Sequence, residues 1–123
     1  MTLTACSPKS PGASQDSCTT VTPAPNTAAV TALIDLGDLV TITSHDQQPE
    51  LLTAEEVSAR SVGELIDAVP EQLEGSPWDV VQVDDEGFES EIYVSGPKGE
   101  LGFVKLRETD CAEQTAITVT ISK

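Results

Sequence analysis

The chain has 123 residues, 38% of them apolar, with 21 Asp and Glu against 6 Lys and Arg and a formal charge of -15. That length suits one domain able to bury a core of its own, and the strongly negative field disfavours nucleic acid phosphate as a partner. Uninterrupted apolar runs are only a few residues long, well short of the roughly 20 that cross a bilayer as a helix, so no segment is read as membrane-spanning.

From Ser7 to Thr27 the chain reads SPKSPGASQDSCTTVTPAPNT, with almost nothing large and apolar. Such composition cannot bury enough surface to offset its ordering entropy, and residues 1–27 are therefore expected to form a disordered Ser/Thr/Pro tether ahead of one domain over 28–123. Just before it stands Leu3-Thr4-Ala5-Cys6. This tetrapeptide resembles the lipobox of bacterial lipoproteins, a branched apolar residue and two small ones before a cysteine. The resemblance implies that Cys6 carries a thioether-linked diacylglycerol and becomes the first mature residue. A lipoprotein signal needs an apolar stretch of about 7 residues or more, and only Met1–Ala5 precede Cys6. Met1 is accordingly read as lying inside the signal.

With Cys6 assigned to lipid, two of the three cysteines remain, Cys18 and Cys111. An even pair in an exported protein points to a disulfide. Closing a loop of roughly ninety residues is worth about 4 to 5 kcal/mol in the chain-entropy picture. In a cytosolic protein the same residues read as two reduced thiols.

Ala28–Ser44 admits two readings: a hairpin closed at Gly37-Asp38, or a short helix over Thr27–Leu36 capped by Asn26 or Thr27 and followed by one strand. Leu39–Thr43 is a strand in either. Thr53 with Glu56, and Ser61 with Glu64, each have the spacing of a capping box. They predict one helical turn followed by a helix of two to three turns. Val62, Leu65, Ile66, Val69 and Leu73 line one face of that helix, and Pro70 is expected to end or kink it. Trp78–Val83, Phe88–Val94 and Glu100–Glu108 read as an antiparallel meander joined by short turns. Ile117, Val119 and Ile121 alternate with Thr118, Thr120 and Ser122 as a half-buried final strand. The fold class expected is α+β: a small antiparallel sheet of four to five strands with one main helix packed on one face.

Chemistry is sparse. Ser44, His45 and Asp46 have the residue types of a hydrolytic triad, but sequence neighbours point in different directions, and His45 is read as a loop residue. No nucleophile, base and orienting group can be nominated together, so the chain is expected not to be an enzyme. No cofactor is expected, since phosphate-cradling glycine loops are absent from the sequence. A transition-metal site would need clustered Cys and His. Asp84, Asp85, Glu86, Glu89 and Glu91 crowd one turn and are weak calcium candidates. Trp78, Phe88 and Phe103 are expected in the core, with Trp78 and Tyr93 the candidate partner contacts should they prove exposed. Lys105 shares a strand face with Leu101 and Phe103; inside the domain it would need a carboxylate partner, and near the strand end it would reach water.

The expected function is that of a noncatalytic cell-envelope lipoprotein, an acidic binding or assembly module anchored by lipid to the outer face of the cytoplasmic membrane, or secreted. Its expected partners are the membrane, through the anchor, and a basic protein or peptide, with the chain itself monomeric. The competing reading is an inhibitor or immunity-type protein that blocks a basic enzyme or toxin surface.

Overall fold

The computed structural model describes residues 21–111 and 114–123. Chain order is helix α1 (Ala28–Leu33), a 3-10 turn (Gly37–Leu39), β1 (Thr41–Gln47), β2 (Leu51–Ser58), helix α2 (Val62–Leu73), β3 (Asp79–Asp85), β4 (Glu89–Ser95), β5 (Leu101–Glu108) and β6 (Thr115–Ser122). The strands form one sheet in the order β1-β2-β6-β5-β4-β3, and every neighbouring pair is antiparallel.

The expected sheet of four to five strands is therefore corrected to six. The added strand is β2, where a helical turn is expected on the strength of Thr53 and Glu56. Capping boxes and strands share this short pattern, and tertiary pairing decides between them. Leu51–Ser58 is zipped to β1 on one side and to β6 on the other, so its amides are satisfied by ladders rather than by a cap. Leu52, Ala54, Glu56 and Ser58 are buried while Leu51 and Glu55 are exposed, the period-two signature of a strand with one covered face.

The second box is real. Ser61 Oγ accepts from the Glu64 backbone N–H at 3.1 Å and Glu64 Oε1 accepts from the Ser61 N–H at 3.0 Å, which satisfies two amides that the first turn leaves open. The bond from the Ser61 backbone N–H, and then the Ser61 side chain, hold the Glu64 carboxyl below its usual range. Pro70 does not end the helix, which runs on to Leu73. Losing one internal hydrogen bond is offset because Val69 and Leu73, on either side of the proline, are fully sealed in the core.

Of the two readings for Ala28–Ser44, the helix is the one observed, with Thr27 in the N-cap position. Gly37-Asp38 closes no hairpin and instead begins the 3-10 turn. Gly37 has φ +60°, and its amide donates to Asp35 Oδ1 at 2.8 Å. The chain meets the sheet before Ala28: the Ala24 N–H donates to the Ile42 carbonyl at 2.8 Å, alongside edge strand β1.

One face of the sheet is covered by α1, the 3-10 turn and α2. Leu52, Ile92, Val94, Val104, Leu106, Ile117, Val119 and Ile121 meet Val30, Ile34, Leu36, Val62, Leu65, Val69 and Leu73 there. Trp78 joins the two helical parts, since its Nε1–H donates to the Leu33 carbonyl at 2.8 Å. At Gly102 a Cβ would lie 2.5 Å from Ile121 Cδ1 and 2.9 Å from the Thr120 carbonyl oxygen, so β5 and β6 need glycine there to sit this close.

Candidate functional site

The two faces of the sheet present different chemistry, and each holds one candidate feature. On the covered face the exception to an aliphatic core is Glu56. Its position on β2 places it opposite Ile42 of β1 and Ile117 of β6, under the segment that carries α1. Glu56 is 3% exposed, and its Oε1 has no hydrogen-bond partner among the described residues. It lines a cavity of about 200 Å3 together with Pro23, Thr27, Thr31, Asp35 and Leu36. Burial, and then the neighbouring carboxylates of Glu55 and Asp35, push the Glu56 carboxyl up to about 7.

Among the described residues, the opposite face carries no helix. Cross-strand partners point to the same side of a sheet, so the register places Thr53, Thr120, Phe103, Tyr93 and Gln82 in one row across it. A second row holds Glu55, Thr118, Lys105, Glu91 and Asp84. Tyr93 and Phe103 stack tilted at 43° with ring centroids 6.2 Å apart. They border a shallow, almost wholly apolar depression of about 200 Å3 with Leu101, Gly102, Thr120 and Ser122. The Tyr93 hydroxyl donates to Glu91 Oε1 at 2.7 Å, and this bond raises the phenol above its usual range. Lys105 lies on this open face and pairs with Glu89 at 3.4 Å.

The aromatic expectations divide accordingly. Trp78 is buried, which removes it from the candidate contact surface. Tyr93 is half-buried on the open face. Phe88 and Phe103 correct the core assignment: Phe88 is 63% exposed beside the β3-β4 turn, and Phe103 points away from the helices because β5 buries Val104 and Leu106 on its other side.

The acidic turn does not converge on one point. Asp85 Oδ1 accepts from the Gly87 amide and the Ser90 hydroxyl at 2.8 and 3.0 Å, Glu89 faces Lys105, and Asp84 stands opposite Glu91 on the open face. Among the described residues no group of three or more His, Cys, Asp or Glu is placed to hold a metal ion, so Asp84, Asp85, Glu86 and Glu89 form no calcium cage. Ser44, His45 and Asp46 lie on β1 rather than in a loop. Successive side chains on a strand alternate between faces, so the three do not converge. His45 Nε2 is 3.4 Å from the Pro25 carbonyl.

Cys111 is buried and disulfide-bonded; Cys6 and Cys18 lie outside the described residues. Among the described residues no helix is long and apolar enough to cross a membrane.

Glu56 is the residue that sequence reasoning misplaces most consequentially, as the end of a capping box. The usable signal is the alternation Leu52, Ala54, Glu56, Ser58, which sets a carboxylate in register with buried positions. Comparison with protein-family models, with curated proteins and with solved structures returned no match.

Proposed function

We propose that the chain is a noncatalytic cell-envelope lipoprotein, its acidic domain a binding or assembly module tethered to the membrane through lipid on Cys6. The observation that carries this reading is the lipobox-like Leu3-Thr4-Ala5-Cys6 directly ahead of a Ser/Thr/Pro-rich segment. The disulfide at Cys111 agrees with it, because such bonds persist in oxidising compartments outside the cytoplasm. Two or more acyl chains anchor a protein stably, each buried methylene contributing about 0.8 kcal/mol. A sheet face on which the described residues place no helix, with an aromatic pair at its centre, supports docking by a partner rather than turnover of a substrate.

The test is to express the gene with its upstream coding sequence and weigh the mature amino terminus. A diacylglycerol thioether on Cys6 with the preceding residues removed is expected. A mature protein retaining Met1, or bearing an unmodified Cys6, overturns the reading.

An inhibitor or immunity-type role is the second reading. It is favoured by Asp84 and Glu91, like charges facing each other across β3 and β4, an arrangement that a cationic partner relieves. It requires a tight complex with a basic enzyme or toxin, weakened by salt.

A further inference from the structure

We propose that the cavity beneath α1 is a binding site for a primary ammonium group on a short alkyl stem, with Glu56 as its buried counter-charge. This site is on the covered side of the sheet, and the inference holds whether or not Cys6 carries lipid.

The starting observation is the orphaned Oε1 of Glu56. A buried carboxyl oxygen without a donor is costly, and native proteins seldom leave one so. Here the unpartnered atom belongs to a side chain that lines an open cavity rather than a sealed core. The cavity of about 200 Å3 is many times the roughly 15 Å3 of probe volume that a single water needs.

The lining selects the sign and the kind of ligand. Asp35 supplies a second carboxylate, while among the described residues no Lys, Arg or His is part of the wall. The counter-charge is therefore supplied from outside the cavity, and a net charge of -15 draws cations toward it. A divalent metal ion is a poor match, since calcium takes 6 to 8 oxygen ligands and magnesium demands near-ideal octahedral coordination. Among the described residues only two carboxylates face this space. A primary ammonium has three N–H donors, suited to the Glu56 carboxylate, the Asp35 carboxylate and a hydroxyl of Thr27 or Thr31. Ile34, Leu36, Val40 and Ile42 form the apolar part of the wall, where an alkyl stem is desolvated. The ligand chemistry is thus that of a lysine side chain or a small alkylamine.

Glu56 takes a proton near neutrality because of its burial and the charges facing it, Glu55 on its own strand and Asp35 from the connection after α1. Its cross-strand neighbours Ile42 and Ile117 are apolar. Ammonium binding requires the ionised form, so occupancy rises with pH through this region and binding expels the proton.

The probe is n-butylammonium chloride, added to the isotopically labelled protein at pH 8 while backbone amide resonances are followed. Saturable shifts are expected at Thr31, Gly37 and Ile42. Tetramethylammonium has the same charge without N–H donors, and it is expected to give no saturation at equal concentration. Affinity for n-butylammonium is expected to fall about tenfold between pH 8 and pH 6. Glu56→Gln should weaken binding at least tenfold. Glu91→Gln, which changes the open face, should leave it within about twofold. Absence of saturation, equal binding by Glu56→Gln or by tetramethylammonium, or saturation of the same amides by calcium instead, each overturns the proposal.

Discussion

On β6 the side chains of Ile117, Val119 and Ile121 are sealed from water, whereas Thr118 and Thr120 on the same strand are half exposed. Among the described residues, the first set meets two helices and a 3-10 turn, and the second meets none. One strand thus serves two environments, and the covered side supplies most of the stability because it removes apolar surface from water. The open side is left to Thr, to the Tyr93–Phe103 pair and to charged rows, residues whose replacement costs the fold little and whose exposure suits contact with something else.

Breaking the covered face should have the largest effect. Leu106→Ala deletes a fully buried side chain at the centre of the sheet, and a loss of about 3 kcal/mol is expected in urea unfolding. Glu56 sharpens the contrast, being the charged group set among these aliphatic residues. Its folded value is raised from 4.5 to about 7, so below pH 4.5 both folded and unfolded forms are protonated and no penalty arises. Between pH 4.5 and 7 only the unfolded chain ionises, and stability falls as pH rises. Glu56→Gln, which mimics the protonated carboxyl, is expected to be near neutral at pH 4 and to stabilise by about 2 to 3 kcal/mol at pH 8. Paired thermal or urea melts at the two pH values check this; a gain that does not depend on pH would show that the carboxyl's charge is not what the covered face resists.

Smaller effects follow at the margins. Ser61→Ala removes the acceptor that caps α2, the helix that covers β3 to β5, and should cost about 1 kcal/mol in the same melts. Thr120→Ala on the open face should change stability by less than about 0.5 kcal/mol. A cost near that of Leu106→Ala would mean that the open face carries the fold as much as the covered one.

These contrasts also show why some of the structure was legible in sequence and some was not. The alternation in TAITVTIS and the spacing of Val62, Leu65, Val69 and Leu73 are local records of which side meets the core, and both elements form where expected. Ser61 and Thr53 open the same four-residue pattern, yet only the first caps a helix. The difference is made by β1 and β6, and β6 is more than fifty residues away. Strand β1, TITSHDQ, is an edge with only partly covered positions, so its apolar pattern is faint. Phe88 and Phe103 misled through bulk: large aromatic residues are good core candidates in general, but which face they occupy depends on strand register. The Glu56 cavity was beyond local reading for a similar reason, since its walls come from the segment before α1, the turn after it, β1 and β2.

The position of β6 has a consequence for how the chain matures. The strand latest in the sequence lies between β2 and β5, and it joins the β1-β2 hairpin to the β3-β4-β5 meander. Until Thr115–Ser122 is in place, the two parts share no ladder, and each leaves an edge unpaired. Closing the sheet then requires contacts between residues far apart in sequence, a slow and cooperative step. During synthesis the six-stranded sheet therefore stays open until Thr115–Ser122 emerges to bridge its two parts.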